Sequence, residues 1–292
     1  MLIGGLETGG TKMVAAVADD NGNILDRISI PTIGADETIG KLVDYFKDKN
    51  IEALGIAAFG PLELDKKKDN YGCLLKTPKE GWSGVNLIAP FKSILNVPVE
   101  IDTDVNGAVL GEVVYGAGKG LENVIYYTIG TGIGAGVYLN GKLHHGVLHP
   151  ESGHMLMRKA KGDDFEGVCP FHKGCFEGLA SGPAINKRWG ANAKELYDNE
   201  KVWEIESYYI GQALVSTILM YAPERIILGG GVMNNEALFT MIRKQVLEQL
   251  SGYFQSGLVT EDIDNYIVPT GCNGNAGILG AIELAKIAKK YV

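Results

Sequence analysis

Glu7-Thr8-Gly9-Gly10-Thr11-Lys12 stands between two apolar runs, residues 2–6 and 12–18, and a second Gly/Thr cluster from Thr128 to Gly136 interrupts another such pair. Paired glycines between apolar runs let the backbone reverse tightly and approach a ligand closely. In each copy the second run leads to a hairpin signal, Asn21-Gly22 in the first and Asn140-Gly141 in the second. Strand, Gly/Thr turn, strand, Asn-Gly turn thus occurs twice, once in each half of the chain. At 292 residues the chain exceeds what one typical core supports, so two α/β domains are expected.

Working outward, residues 2–6, 12–18 and 24–31 read as strands, with Asp19 to Asn23 as the turn before the third. Ile39, Leu42, Val43 and Phe46 share one face of a helix predicted over 36–50. A buried strand at 53–58 leads to the Phe59-Gly60-Pro61 turn, and 62–85 reads as irregular. A helix over 87–95, a strand over 97–102 and a helix from about 106 to 115 complete a mixed sheet flanked by helices. The first domain is expected over 1–116 and the second over 117–277, with an insertion at about 144–177. The second half adds a helix near 204–221, a strand at 225–228 and a helix over 235–250. The closing helix, 278–292, is expected to pack back on the first domain.

Composition narrows the function. With 46% hydrophobic and 21% charged residues the chain can bury sizeable cores. A net charge of −8 argues against a nucleic-acid groove, which needs a basic stripe. No apolar run is long enough to span a membrane, and the start lacks the charged head and apolar run of a signal peptide. Four cysteines are too few for a disulfide scaffold, so a cytoplasmic protein with reduced thiols is expected. Cys73 and Cys272 read as small hydrophobes.

Three features carry chemistry. The first is the pair of turns, 8–12 and 128–136, whose backbone N–H groups, hydroxyls and Lys12 suit phosphate oxygens. A plain hairpin needs the same glycines, and the Gly-x4-Gly-Lys-Ser/Thr loop is absent; it is their repetition that suggests a nucleotide held in an inter-domain cleft. Gly229-Gly230-Gly231 after a strand would admit a flat ring or a ribose against bare backbone. The second feature is Asp102 and Asp104 at the end of a strand, where a carboxylate could take a proton from a sugar hydroxyl or simply cap a helix. The residues alone do not choose between them. The third is the set His154, Cys169, His172 and Cys175, two imidazoles and two thiols at a spacing that closes a tetrahedral zinc site. Glu151 and Glu177 flank it and are left for a ligand rich in hydroxyls. His144, His145 and His149 read as loop residues.

Together these motifs resemble the ROK sugar kinases, and most closely their bacterial fructokinase branch. The resemblance runs through the Gly-Gly-Thr-Lys turn, Asp104-Val-Asn106, Thr-Gly-Ile-Gly at 131–134, Glu151-x-Gly-His154, the Cys/His segment, Ser181-Gly-Pro-Ala184 and the triple glycine. It implies a two-domain, actin-like (ribonuclease H-like) α/β fold and transfer of a phosphoryl group from ATP, with Mg2+, to D-fructose, zinc being structural. Asp104 would be the general base, and Gly60, Thr103, Asp104, Glu151, His154 and Glu177 would contact the sugar. Thr8, Gly9, Gly10, Thr11, Lys12, Gly130, Thr131, Gly132, Pro183, Ala184, Gly229, Gly230, Gly231, Val232 and Met233 would contact ATP. His154 would give one ring nitrogen to zinc and the other to a hydroxyl. Glu7 departs from the Asp of most members, Thr103 from the Asn of glucose kinases, and His172 from a usual Cys; the last two point to a ketose. Glucose, mannose and N-acetylmannosamine are the alternative substrates. A non-catalytic sugar sensor is the rival class, and a regulator would need a DNA-binding domain ahead of the first strand. No nucleic-acid or membrane partner is expected, and a homodimer is one assembly the resemblance admits.

Overall fold

A computed structural model of the chain describes residues 1–77 and 79–290. The chain forms two compact units. One comprises Met1–Gly120, Leu143–His149 and the chain from Gly271 onward; the other comprises Leu121–Lys142 and Pro150–Thr270. Residues 143–149 belong with the first unit because His145 and His149 both hydrogen-bond within it.

The first unit opens with β1 (Ile3–Thr8), β2 (Lys12–Ala18) and β3 (Ile24–Pro31), then α1 (Ala35–Lys47), β4 (Leu54–Ala58), α2 (Ala89–Leu95), β5 (Val99–Thr103) and α3 (Asp104–Tyr115). Its sheet runs β3-β2-β1-β4-β5, antiparallel across the hairpins and parallel from β1 outward. Burial follows pairing. β4 and β5 are buried along their whole length, whereas β3, at the edge, alternates between half-buried and exposed. α1 buries Ile39, Leu42, Val43 and Phe46, the predicted apolar stripe. The irregular 62–85 stretch still supplies core: Trp82 is fully buried, with its indole N–H donated to the carbonyl of Ile33 at 2.9 Å.

The second unit contains β6 (Val124–Ile129), β7 (Ile133–Leu139) and the short β8 (Lys142–Leu143), which begins here and ends in the first unit. There follow α4 (Phe176–Ala180), α5 (Gly182–Trp189), α6 (Glu200–Tyr221), β9 (Arg225–Gly229), α7 (Ala237–Leu250), α8 (Gly257–Thr260), α9 (Ile263–Tyr266) and β10 (Ile267–Pro269). The order β8-β7-β6-β9-β10 repeats that of the first sheet, again antiparallel across the β6–β7 hairpin and parallel from β6 to β10. Tyr209, Ile210, Ala213, Leu214 and Ile218 of α6 join Leu238, Ile242 and Val246 of α7 in one core under the sheet.

The last helix, α10 (Ala276–Lys290), lies in the first unit against β1, β4 and α3. Glycines make that approach possible. A Cβ on Gly55 would lie 1.9 Å from the carbonyl oxygen of Ala281, and one on Gly280 would lie 1.7 Å from that of Gly107. Among the described residues no helix is long and apolar enough to cross a membrane.

Candidate active site

In the first unit, β5 ends where α3 begins, and this corner separates the two candidate aspartates. The helix starts at Asp104 instead of about 106, because the Thr103 hydroxyl caps it by accepting the N–H of Asn106 at 3.1 Å. Asp102 is buried. Its Oδ1 accepts the N–H of Thr103 at 2.7 Å and the Asn106 amide at 2.8 Å, and its Oδ2 lies 2.8 Å from His145 Nε2. Asp104 is only half-buried, in the first turn of the helix, with Oδ1 accepting the N–H of Val105 at 2.9 Å. Partners in the fold thus surround Asp102 in the interior, while Asp104 lies nearer the surface. Gly60 sits beside His149, whose Nε2 accepts the N–H of Leu62 at 3.2 Å.

The β1–β2 turn places Gly9, Gly10, Thr11 and Lys12 at or near the surface. Thr32 pins it by donating its hydroxyl to the carbonyl of Gly9 at 2.6 Å and its N–H to that of Thr11 at 2.9 Å. Thr8 faces inward: it is buried, and its hydroxyl accepts the N–H of Phe59 at 3.1 Å. Glu7 points toward α10, where a Cβ on Gly277 would lie 2.6 Å from its carboxyl. Burial raises the Glu7 pKa against the opposing charges of Arg27 and Lys12.

In the second unit the four ligand candidates converge. His154, Cys169, His172 and Cys175 hold their donor atoms within 4.8 Å of one another. Cys169 Sγ lies 3.7 Å from His154 Nδ1 and 3.8 Å from His172 Nδ1, and Cys175 Sγ lies 3.6 Å from His154 Nδ1. A zinc ion with Zn–S of about 2.3 Å and Zn–N of about 2.1 Å sets sulfur and nitrogen about 3.6 Å apart at the tetrahedral angle. The donor set fits. Burial pushes the Cys175 thiol up to about 11, a cost that a divalent cation reverses by binding the thiolate.

This segment also reaches the second Gly/Thr turn. Cys175 caps α4, and Glu177 in that helix accepts the N–H of Ile133 at 3.0 Å. Gly182, at the start of α5, donates its N–H to the carbonyl of Gly130 at 2.7 Å. The ligand-bearing loop and the 130–133 turn are thereby fastened to one another. Burial raises the pKa of Glu151, and the charge of Glu177 raises it further.

Around the same turn, Gly130, Thr131, Pro183, Gly231 and Val232 line a cavity of about 1360 Å³. Gly229, Gly230 and Met233 line a second one of about 530 Å³. Ala184 is brought to neither: it is fully buried, its helix being capped by the Ser181 hydroxyl. Val232 and Met233 also turn their side chains into the core, leaving mostly backbone to a ligand there. Phe165, Asn186 and Lys187 share the larger cavity and went unread in the sequence. Asn186 and Lys187 follow one residue after Ser181-Gly-Pro-Ala184, so a helix begun at Gly182 was the available signal.

Residues 3–288 match the sequence profile described as the ROK family. A fructokinase of Pediococcus pentosaceus is 44% identical over 99% of each chain. One from Zymomonas mobilis subsp. mobilis is 42% identical over 99% of this chain and 97% of its own. The crystal structure of a ROK family glucokinase from Streptomyces griseus, in complex with glucose and AMPPNP, superposes with a TM-score of 0.78. Identity there is 25%, over 98% of this chain and all of the other.

Proposed function

The chain belongs to the ROK family, and on that premise we propose that it is an ATP-dependent hexose kinase that phosphorylates fructose at its 6-hydroxyl. The observation that carries the reading is the asymmetry at the start of α3. Asp102 is buried with three hydrogen-bond partners, whereas Asp104 is half-buried in the first turn of the helix, with the N–H of Val105 among its contacts. Asp104 is the general base: it orients the attacking hydroxyl and takes its proton as the bond to phosphorus forms.

Of the other residues, Gly60, Thr103, Glu151, His154 and Glu177 hold the sugar hydroxyls. Backbone N–H groups of the turns at 9–12 and 130–132 hold phosphate oxygens, and Lys12 adds charge. Thr8 shapes its turn through Phe59. Bare backbone at 229–231 and the surface of Pro183 receive the rest of the nucleotide. Magnesium supplies charge neutralisation on the phosphates. His154, Cys169, His172 and Cys175 hold a structural zinc ion, with His154 Nδ1 on the metal side and its Nε2 left for a hydroxyl. We place the protein in the cytoplasm, where thiols of this kind stay reduced.

The test is a coupled ADP-release assay across fructose, glucose, mannose and N-acetylmannosamine. Fructose should give the highest kcat/KM. Preference for another hexose overturns the substrate, and no hexose-dependent ADP release overturns the kinase reading.

A further inference from the structure

We propose that His145 is a positioning residue for Asp104, acting through Asp102 to fix the first turn of α3. The proposal rests on Asp104 being the base.

Residues 143–149 are tied down at two points in the first unit, His145 on Asp102 and His149 on the N–H of Leu62, with Val147 fully exposed between them. Asp102 is the junction. One oxygen holds the N–H of Thr103 and the side chain of Asn106, residues on either side of Asp104. Its other oxygen holds His145. The same imidazole nitrogen lies 3.3 Å from the Asn106 amide, so His145 meets Asn106 as well as Asp102. A buried carboxylate that loses a partner must turn to find another. Here it can turn only by releasing Thr103 or Asn106, which shifts the helix start and Asp104 with it. Small displacements of a catalytic group are costly because the near-attack geometry is narrow.

The surroundings also make the contact sensitive to protonation. Asp102 and Glu100 of β5 face the ring in a cavity of about 960 Å³. Lys66 and Tyr71 there are both held by Glu100, and Lys68 is paired with Glu63. Among the described residues, α10 contributes Leu284 and Ile287 to that cavity. The hydrogen bond to Asp102 raises the pKa of His145 against the opposing effect of burial, with the charges of Asp102 and Glu100 adding to the rise. The imidazolium form of the contact is therefore complete below the ordinary histidine range and is lost as pH rises through the raised value.

The experiment measures kcat and KM against pH for wild type, His145→Ala and His145→Gln, with fructose and ATP. His145→Ala should lower kcat about tenfold while both KM values stay within about twofold. His145→Gln, which keeps an N–H donor, should recover most of that loss. Wild type should lose about threefold in kcat on the alkaline side, and that limb should be absent from both variants. A His145→Ala kcat within about twofold of wild type overturns the proposal. So does an alkaline limb that persists in His145→Gln, and this comparison decides the matter if the alanine variant fails to fold. Wild type without hexose-dependent turnover instead overturns the kinase reading itself.

Discussion

The two sheets share one strand order and one pattern of directions, yet they mount their chemistry differently. In the first unit the candidate base sits directly on the frame, at the junction of β5 and α3, and ordinary hydrogen bonds hold it. In the second, the two glutamates belong to an insertion between β8 and α6 that brings four metal-ligand candidates together, beside apolar residues such as Phe176, Leu179 and Ile185 that join the core of the unit. A repeated topology supplies equivalent turns and strand ends. It does not decide what secures the groups placed there.

The largest effect should come from removing the fastening peculiar to the second unit. Purified protein should contain one zinc per chain, and Cys175→Ser should abolish it. A structural zinc site can contribute on the order of 10 kcal/mol, so hydrogen exchange over 150–177 should rise sharply while β1 to β5 stay protected. Because His154 is proposed to bind the sugar as well as the metal, fructose affinity should fall with it. Unchanged affinity in folded, metal-free protein would break the comparison.

In the first unit, Asp104→Asn should lower kcat by about 10²-fold or more with little change in fructose binding, whereas Asp102→Asn should do far less. Steady-state kinetics and calorimetric binding check both. Equal losses would mean that the two aspartates are one functional unit.

Glu151→Gln and Glu177→Gln should each raise the fructose KM about tenfold, since a charged hydrogen bond contributes roughly 1.5–3 kcal/mol. The KM for ATP should hold for Glu151→Gln. Glu177→Gln could move it modestly through Ile133, and a large change in both variants would mean that these carboxylates serve the nucleotide.

A smaller contrast concerns one buried glutamate in each unit. Glu112 accepts the N–H groups of Ala117, Gly271 and Cys272, whereas Glu206 has no hydrogen-bond partner among the described residues and meets Arg188 at 3.8 Å. Burial pushes Glu206 up to about 8. The folded state therefore holds a proton that the unfolded chain releases, so stability should fall as pH rises from about 5 to about 8. Glu206→Gln should flatten that slope in denaturation midpoints, and an unaltered slope would show that Arg188 keeps Glu206 ionised.

What was legible in the sequence depended on the range of the interactions involved. The hairpins, the α1 stripe and the Cys/His set were readable because their partners are close in the chain or obey a period. The helix start at Asp104 was not, since Thr103, Asp104 and Asn106 are all competent caps and only the fold shows which hydroxyl is used. His145 and His149 lie in a loop, as expected, but their contacts were not legible because the partners lie 43 and 87 residues away. Glu206 carries no local signal of burial in the sequence. Its burial against Arg188 and Asp163 depends on how α5, α6 and the 158–167 loop pack.

The placement of α10 bears on the order in which the protein can be made. β1, β4 and α3 need that helix to cover them, and the ribosome produces it only after the whole of the second unit. At about 5–20 residues per second, the first unit waits on the order of ten seconds with a bare sheet face while the second unit is completed. The second unit, encoded in the middle, should therefore be the first to fold. A chain halted at Thr270 should show exchange-protected amides in β6, β7 and β9 and few in β1 and β4; equal protection in both would mean that the first sheet can close without its final helix.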